Sequence, residues 1–211
     1  MLVIHCTSVA ASIAVAKTCE ICGHASRKNR SLWNMSGIIF PFMTTLAYRL
    51  RLAAASDAEA ICRIYNQGIE DRVATLETEL RTPDERRQWL ASRSPRHPVI
   101  VAEVTEPTPA TIAWASLNVF NARAAYRFVA DISVYVDRGW RGKGAGRVLL
   151  EKLVELGRQH GFHKLVLSAF PFNAGGMTLY EKLGFRTVGT YREQGRLDGK
   201  WVDTIIMEKL L

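Results

Sequence analysis

No stretch of this 211-residue chain reads as a bilayer span. The apolar, small-residue run from Val9 to Ala16 is far shorter than the roughly 20 residues such a helix needs. No clear basic segment precedes it, which argues against a secretory signal. Cysteine is sparse: Cys6, Cys19, Cys22 and Cys62 make no disulfide framework, and the first three lie ahead of the domain. That points to a reducing compartment, the cytoplasm. Cys19-x-x-Cys22-x-His24 invites a zinc site. A structural zinc takes four ligands in two pairs, however, and only His5 and Cys6 are at hand, so no metal is expected. No basic run interleaves with aromatics, so nucleic acid is not an expected partner. Internal repeats and low-complexity stretches are absent too. The one glycine-rich turn lacks the Lys-Ser or Lys-Thr that would close a Walker loop.

What is present has ordinary globular proportions, 48% apolar and 23% charged, in a chain long enough for one domain with a proper core. In residues 1–45, Lys17, Arg27, Lys28 and Arg30 outnumber Glu20 by three, which leaves +5 of the net +8 beyond them. This mild excess suits a small polyanion at least as well as nucleic acid. Residues 1–45 read as an N-terminal extension, disordered or arising from a non-native upstream start, with Met35 and Met43 as alternative starts. A transit peptide is the other reading of so basic and acid-poor a leader. The domain is expected over 46–211.

Within it, Leu46 to Ala53 alternates as a first strand. Ser56-Asp57-Ala58-Glu59 has the form of a capping box, and the helix after it carries Ala58, Ile61, Tyr65 and Ile69 on one face. Thr82-Pro83-Asp84-Glu85 opens a second helix with proline at its first position. Strands follow at Pro98 to Val104, Thr111 to Leu117 and Tyr126 to Asp137. A long helix then bears Leu149, Leu150, Leu153 and Val154 on one face. Lys164 to Phe170 is apolar enough for a parallel strand covered on both faces. Asn173 to Leu183 is a helix stopped by Gly184. Phe185 to Tyr191 and Trp201 to Lys209 form a hairpin around Asp198-Gly199. The order β-α-α-β-β-β-α-β-α-β-β predicts an α/β domain with a mixed sheet flanked by helices.

The centre of this order is the turn Arg141-Gly142-Lys143-Gly144-Ala145-Gly146, between the apolar strand Ile132 to Val136 and the long helix. Three residues without side chains let the main chain turn tightly and approach a ligand. The first helical N–H groups have no intrahelical partner and sit at the positive end of the dipole. Strand, bare turn and helix in that order make an anion cradle, and a pyrophosphate is its natural occupant. A purely structural strand-to-helix turn is the plainer reading of the six residues taken alone.

The spacing Arg-x-x-Gly-x-Gly resembles the acetyl-CoA signature of the GNAT N-acetyltransferase superfamily, and the element order over 46–211 is similar to the GNAT fold. Several segments resemble the phosphinothricin and methionine-sulfoximine acetyltransferases within it. They are Ile64-Tyr65-Asn66, Thr75-Leu76-Glu77-Thr78-Glu79, Arg81-Thr82-Pro83, Asn121 to Tyr126, and Gly189-Thr190-Tyr191 with Gly199 to Asp203. The run Gln67 to Thr75, with Arg196-Leu197-Asp198-Gly199, is most similar to the arsinothricin-resistance branch. The resemblance implies an acetyl-CoA-dependent, metal-free enzyme, commonly a homodimer. It would acetylate the α-amine of a small acidic amino-acid analogue (arsinothricin, phosphinothricin or methionine sulfoximine) and confer resistance. A GNAT enzyme for another amine, such as a protein N-terminus or a polyamine, is the alternative. A non-catalytic binding module is the third reading.

The resemblance also assigns roles. Asp131 falls where the phosphinothricin enzymes carry a glutamate as base; it is one methylene shorter, which calls for a bridging water, and Glu70 is the reserve. The Val134 amide would donate to the oxyanion, and Val134, Tyr135 and Val136 would pair with the pantetheine arm. Arg141 opens the turn, and the amides of Gly142, Lys143, Gly144, Ala145, Gly146 and Arg147 would hold the pyrophosphate. Tyr180 would protonate the leaving thiolate, at a place where the phosphinothricin enzymes carry histidine. Asn173 would touch the CoA arm; an N-cap is its plainer role. Arg123, in Ala-Arg-x-Ala-Tyr, matches the family's substrate arginine, with Arg72 and Thr75 next. An arginine fork fits an acidic substrate, and a solvated surface arginine is the plainer reading for Arg72 and Arg123.

Overall fold

The computed structural model describes residues 48–211. Expectations for the leader, including Cys19, Cys22, His24 and the two internal methionines, lie outside the described residues, as does the start of the first expected strand. Seven strands form one sheet: β1 (Arg49–Leu52), β2 (Val99–Val104), β3 (Ala110–Val119), β4 (Val129–Val136), β5 (Lys164–Ala169), β6 (Arg186–Leu197) and β7 (Lys200–Leu210). Four helices cover it: α1 (Ala58–Glu70), α2 (Pro83–Ala91), α3 (Ala145–Gln159) and α4 (Ala174–Lys182). The spatial order is β1-β2-β3-β4-β5-β7-β6. Every pair is antiparallel except β4 and β5, whose parallel pairing follows from the α3 crossover between them.

Period-two alternation divides the core into two layers. Ile100, Ala102 and Val104 of β2, with Ala113, Ala115 and Leu117 of β3, pack under Leu149, Leu150 and Leu153 of α3. Val99, Val101 and Trp114 turn the other way, onto Ile61, Ile64, Tyr65 and Ile69 of α1. At about 25 cal/mol per Å², each of these large buried side chains contributes on the order of 2 kcal/mol of transfer free energy. Two strands thus bind helices to both faces.

The helix starts show which local signals survive packing. Thr82 Oγ1 accepts from Glu85 N–H at 3.2 Å while Glu85 Oε2 accepts from Thr82 N–H at 2.7 Å, so α2 begins as a full capping box with Pro83 first. The expected box at Ser56–Glu59 does not form. A short 3₁₀ turn, Ala55–Asp57, precedes α1 instead. The Asp57 carboxylate is buried, accepts from Ala54 N–H at 2.8 Å and takes the Arg51 fork at 2.6 and 2.8 Å. A buried carboxylate with an arginine fork outweighs a single hydroxyl cap.

Two strands depart from expectation. β4 begins at Val129, because residues Ala124–Tyr126 form a 3₁₀ turn. β6 runs six residues past Tyr191, to Leu197, with irregular register between Tyr191 and Gly195. It is an edge strand exposed along most of its length, so it carries little of the alternation that marks a half-buried strand. Its turn into β7 is the expected one, with φ of 46° at Asp198 and 80° at Gly199. β5 is parallel only toward β4; toward β7 it is antiparallel.

Candidate active site

The glycine turn is open. Gly142 and Gly144 hold φ of 75° and 94°, and a Cβ built on Gly142 meets nothing within 4 Å. Gly146 serves packing instead: a Cβ there would stand 3.3 Å from Leu179 and 3.5 Å from Val136. Among the described residues, no amide from Gly142 to Gly146 has an intramolecular acceptor. The Arg147 amide bonds Gly144 O at 3.0 Å, so the run of free donors ends one residue earlier than expected. Arg141 also differs from expectation. Its Nη1 donates to Asp71 Oδ2 at 2.6 Å and its Nε to Val136 O at 3.3 Å, so its charge anchors the turn to the end of α1. Tyr48 donates to Lys143 O at 2.5 Å from the other side.

Beside the turn, β4 is left half-paired. Asp137 N–H donates to Ile112 O at 2.8 Å, and backbone groups alternate sides in an antiparallel pair. Ser133 and Tyr135 therefore bond β3, while the N–H groups of Val134 and Val136 point toward β5. But β5 pairs with β4 only from Val129 to Asp131 and then splays away. The result is a cleft of ≈ 590 Å³ lined by Val134, Val136, the three glycines of the turn, Asn173 and Tyr180. Asn173 caps α4, its Oδ1 accepting from Gly176 N–H at 3.0 Å.

A second cavity, of ≈ 390 Å³, lies on the α1–α2 face and shares Tyr135 with the first. Polar side chains line it: Glu77, Arg81, Glu85, Arg86, Ser116, Asn118 and Ser133, beside Tyr65, Trp89 and Trp114. Sequence reasoning singled out none of these polar groups as a site. One signal was available: Trp114, Ser116 and Asn118 alternate within an otherwise apolar strand, and polar groups buried on one face need a reason. Burial opposes the charge of Glu77, but the Arg81 guanidinium and the Tyr65 hydroxyl outweigh it and hold the carboxyl below its ordinary value.

Asp131 extends the same strand face as Ser133 and Tyr135. Burial raises its carboxyl to about 6, moderated by Asn118 Nδ2 at 3.4 Å. Burial, with the Asp131 charge nearby, lifts the Tyr180 phenol to about 12. Asp131 itself lines neither cavity, but its charge acts on the Tyr180 phenol, which lines the cleft.

The family model described as "Acetyltransferase (GNAT) family" matches residues 59–185. The chain belongs to the GNAT acetyltransferase family. It is similar to a phosphinothricin N-acetyltransferase of Streptomyces coelicolor, 30% identical over 79% of this chain and 98% of that protein. An L-methionine sulfoximine/L-methionine sulfone acetyltransferase of Salmonella typhimurium is 29% identical over 75% and 92%. The crystal structure of a GNAT superfamily phosphinothricin acetyltransferase from Sinorhizobium meliloti, in complex with AcCoA, superposes with a TM-score of 0.73. It shares 30% identity over 78% of this chain and 88% of that one.

GNAT enzymes of this kind are N-acetyltransferases that use acetyl-CoA, and the cleft fits it: free main-chain donors for phosphate oxygens, open space at Gly142, and strand-edge amides at Val134 and Val136 for an amide-bearing arm. Tyr135 serves differently from its neighbours. Its backbone faces β3 and its ring stacks on Trp114 at 4.7 Å and 16°. Ala145 is buried, Lys143 reaches over the Trp140 ring at 4.8 Å, and Arg147 pairs with Glu151 at 2.9 Å at the cleft edge. Among the described residues no three His, Cys, Asp or Glu side chains gather for a metal, and no helix is long and apolar enough to cross a membrane.

The expected substrate residues do not converge. Arg123 is exposed on the loop before β4 and lines a separate hollow with Arg96, Asn121 and Arg127. Arg72 gives its Nε and Nη2 to Asp198, both at 3.1 Å, tying α1 to the β6–β7 turn. Glu70 pairs with Arg138 at 3.2 Å on the surface and faces neither cavity. Thr75 Oγ1 accepts from Glu77 N–H at 3.1 Å, and Thr75 lines neither cavity. These arginines and Glu70 already have partners or solvent, so no cavity draws them in.

Proposed function

We propose that this enzyme acetylates the α-amine of a small acidic amino-acid analogue (phosphinothricin, methionine sulfoximine or arsinothricin), that it acts in the cytoplasm as a homodimer, and that it confers resistance to such compounds. The observation that carries the reading is the polar cavity of ≈ 390 Å³ sharing Tyr135 with the acetyl-CoA cleft: its size suits one amino acid and its lining suits charge. The names of the relatives support the substrate class. Exposed Phe120 and Tyr126, in edge contact at 5.5 Å, leave apolar surface for a second copy to cover.

Acetyl-CoA, when bound, supplies an acetyl thioester at the splay of β4. The chain's own residues do the rest. Asp131, ionised above pH about 6, takes a proton from the substrate ammonium through a water, which frees the attacking lone pair. The Val134 N–H, aimed into the cleft, donates to the carbonyl oxygen as charge gathers on it. Tyr180, protonated at all ordinary pH, hands its proton to the departing thiolate.

A thiol-release assay with acetyl-CoA, run over the three analogues and a peptide with a free N-terminus, tests this. Turnover is expected on the analogues. Turnover on the peptide alone would replace the small-substrate reading with the protein N-terminus. Expression in a phosphinothricin-sensitive host should restore growth, and size-exclusion chromatography with light scattering should give twice the chain mass.

A further inference from the structure

Among the described residues, two buried side-chain nitrogens have no hydrogen-bond partner: Arg86 Nε and Trp114 Nε1. Both residues line the polar cavity. Arg86 is 9% exposed and is the buried residue of α2, a helix otherwise turned to solvent or half covered. Its guanidinium lies 3.9 Å from the Tyr65 ring centroid and 5.6 Å from that of Trp89, so ring faces hold it rather than a carboxylate. The two acids in the same lining are engaged elsewhere. Glu77 pairs with Arg81 at 2.7 Å, and Glu85 caps α2 and approaches Arg81 at 3.6 Å. Trp114, 2% exposed, is fixed by its stack on Tyr135, and Tyr135 is next to Val134, which lines the cleft.

A buried guanidinium N–H without a hydrogen-bond acceptor is costly, as is a buried indole N–H. Two such donors in one cavity, beside Ser116, Asn118 and Ser133, ask for the same complement: a negatively charged group with several acceptor oxygens. We infer that Arg86 and Trp114 form the anchor for the anionic end of the substrate, a carboxylate or phosphinate-type oxoanion that takes the Arg86 fork and the Trp114 N–H together. This rests on the proposed acetylation of an amino-acid analogue and names the residues that select it. An oxoanion held there sits in the cavity that shares Tyr135 with the cleft lined by Val134. It also explains why an arginine can lie under α2 with its Nε unpartnered.

Steady-state kinetics and calorimetric titration of phosphinothricin into the full chain, wild type against Arg86→Gln, test the anchor. The Arg86→Gln variant should raise KM and Kd for phosphinothricin by about 10- to 100-fold, the worth of hydrogen bonds to a charged group, with kcat within about threefold. Trp114→Phe, which keeps the ring and removes one neutral donor, should raise both by about three- to tenfold. Acetyl-CoA binding by calorimetry should be unchanged in both variants, and serves as the control for folding. Methionine sulfoximine, whose only carboxylate is on its α-carbon, tells which acid is held: an equal loss assigns the α-carboxylate, a smaller loss the side-chain acid. Unchanged KM and Kd for phosphinothricin in both variants would overturn the anchor while leaving acetylation intact. Conversely, a wild type that binds phosphinothricin through Arg86 yet never acetylates it would overturn the proposed function and keep the anchor.

Discussion

The two cavities that share Tyr135 are made of different material. The free donors of the cleft that fits acetyl-CoA are main chain: amides from Gly142 to Gly146 and the strand edge at Val134 and Val136. The polar cavity is side chain: Glu77 and Arg81 from the loop after α1, Arg86 from α2, Ser116 and Asn118 from β3, Ser133 from β4. A main-chain site needs only a conformation, so the same cradle can serve any chain that supplies glycine where φ is positive. A side-chain site needs particular residues brought together from distant elements, so it can be remade by substitution without disturbing the cleft. On the proposed assignment, the cofactor side is kept general and the substrate side is free to specialise.

The comparison would break most visibly at Asp131, which lies on the strand face of the polar cavity and is the proposed base for chemistry in the cleft. Wild type should show kcat rising with pH through about 6, and Asp131→Asn should lower kcat by about 10²- to 10⁴-fold and remove that rise. Stability should move the other way. The folded pKa of about 6 lies above the unfolded value near ~3.9, so ionising this group opposes folding, and stability present at low pH is lost as pH rises through 6. The asparagine variant should therefore melt higher than wild type at pH 8 and not at pH 4, as scanning calorimetry would read. A lower melting temperature at both would remove burial as the cause.

Tyr180→Phe comes next. Losing one donor to a thiolate should reduce kcat by about 10- to 100-fold with little change in KM for the amino acid. Loss of KM instead would make Tyr180 a packing residue of α4. Gly142→Val should weaken CoA binding by about tenfold, since a left-handed conformation costs a side-chain residue roughly 1–2 kcal/mol before any clash with phosphate. Phosphinothricin binding measured without CoA should not change, and if it did the two cavities would not be separable. The smallest effect is expected at Arg123. It lies outside both cavities, so Arg123→Ala should leave KM for phosphinothricin within about twofold. A tenfold rise would show that a second copy carries Arg123 to the site.

Much of the fold was legible because it is local. The hydrophobic faces of α1 and α3, the Thr82 capping box, the Asp198-Gly199 turn and the element order each depend on neighbours a few residues away. β6 beyond Tyr191 was not legible, since an edge strand with neither face buried need not alternate. The Ser56 cap misled for a related reason: it matches a local rule, and a tertiary partner, Arg51, drew the turn toward Asp57. Among site residues the same division holds. Gly142, Val134 and Tyr180, singled out by spacing and resemblance, line one cleft. Arg123 and Arg72 carry the right charge for an acid, but charge alone does not say which guanidinium is buried and which is solvated or paired.

By itself the sequence determined the anion cradle, the strand that feeds it and the helix that closes it, because glycine spacing and periodicity act over a few residues along one chain. Only the tertiary structure decided that β5 would part from β4 after Asp131, that Arg141 would turn back to Asp71, and that Arg86 would lie among Tyr65, Trp89 and Trp114. Those outcomes depend on contacts between residues tens of positions apart, where packing and charge choose among many partners that the linear order leaves equivalent.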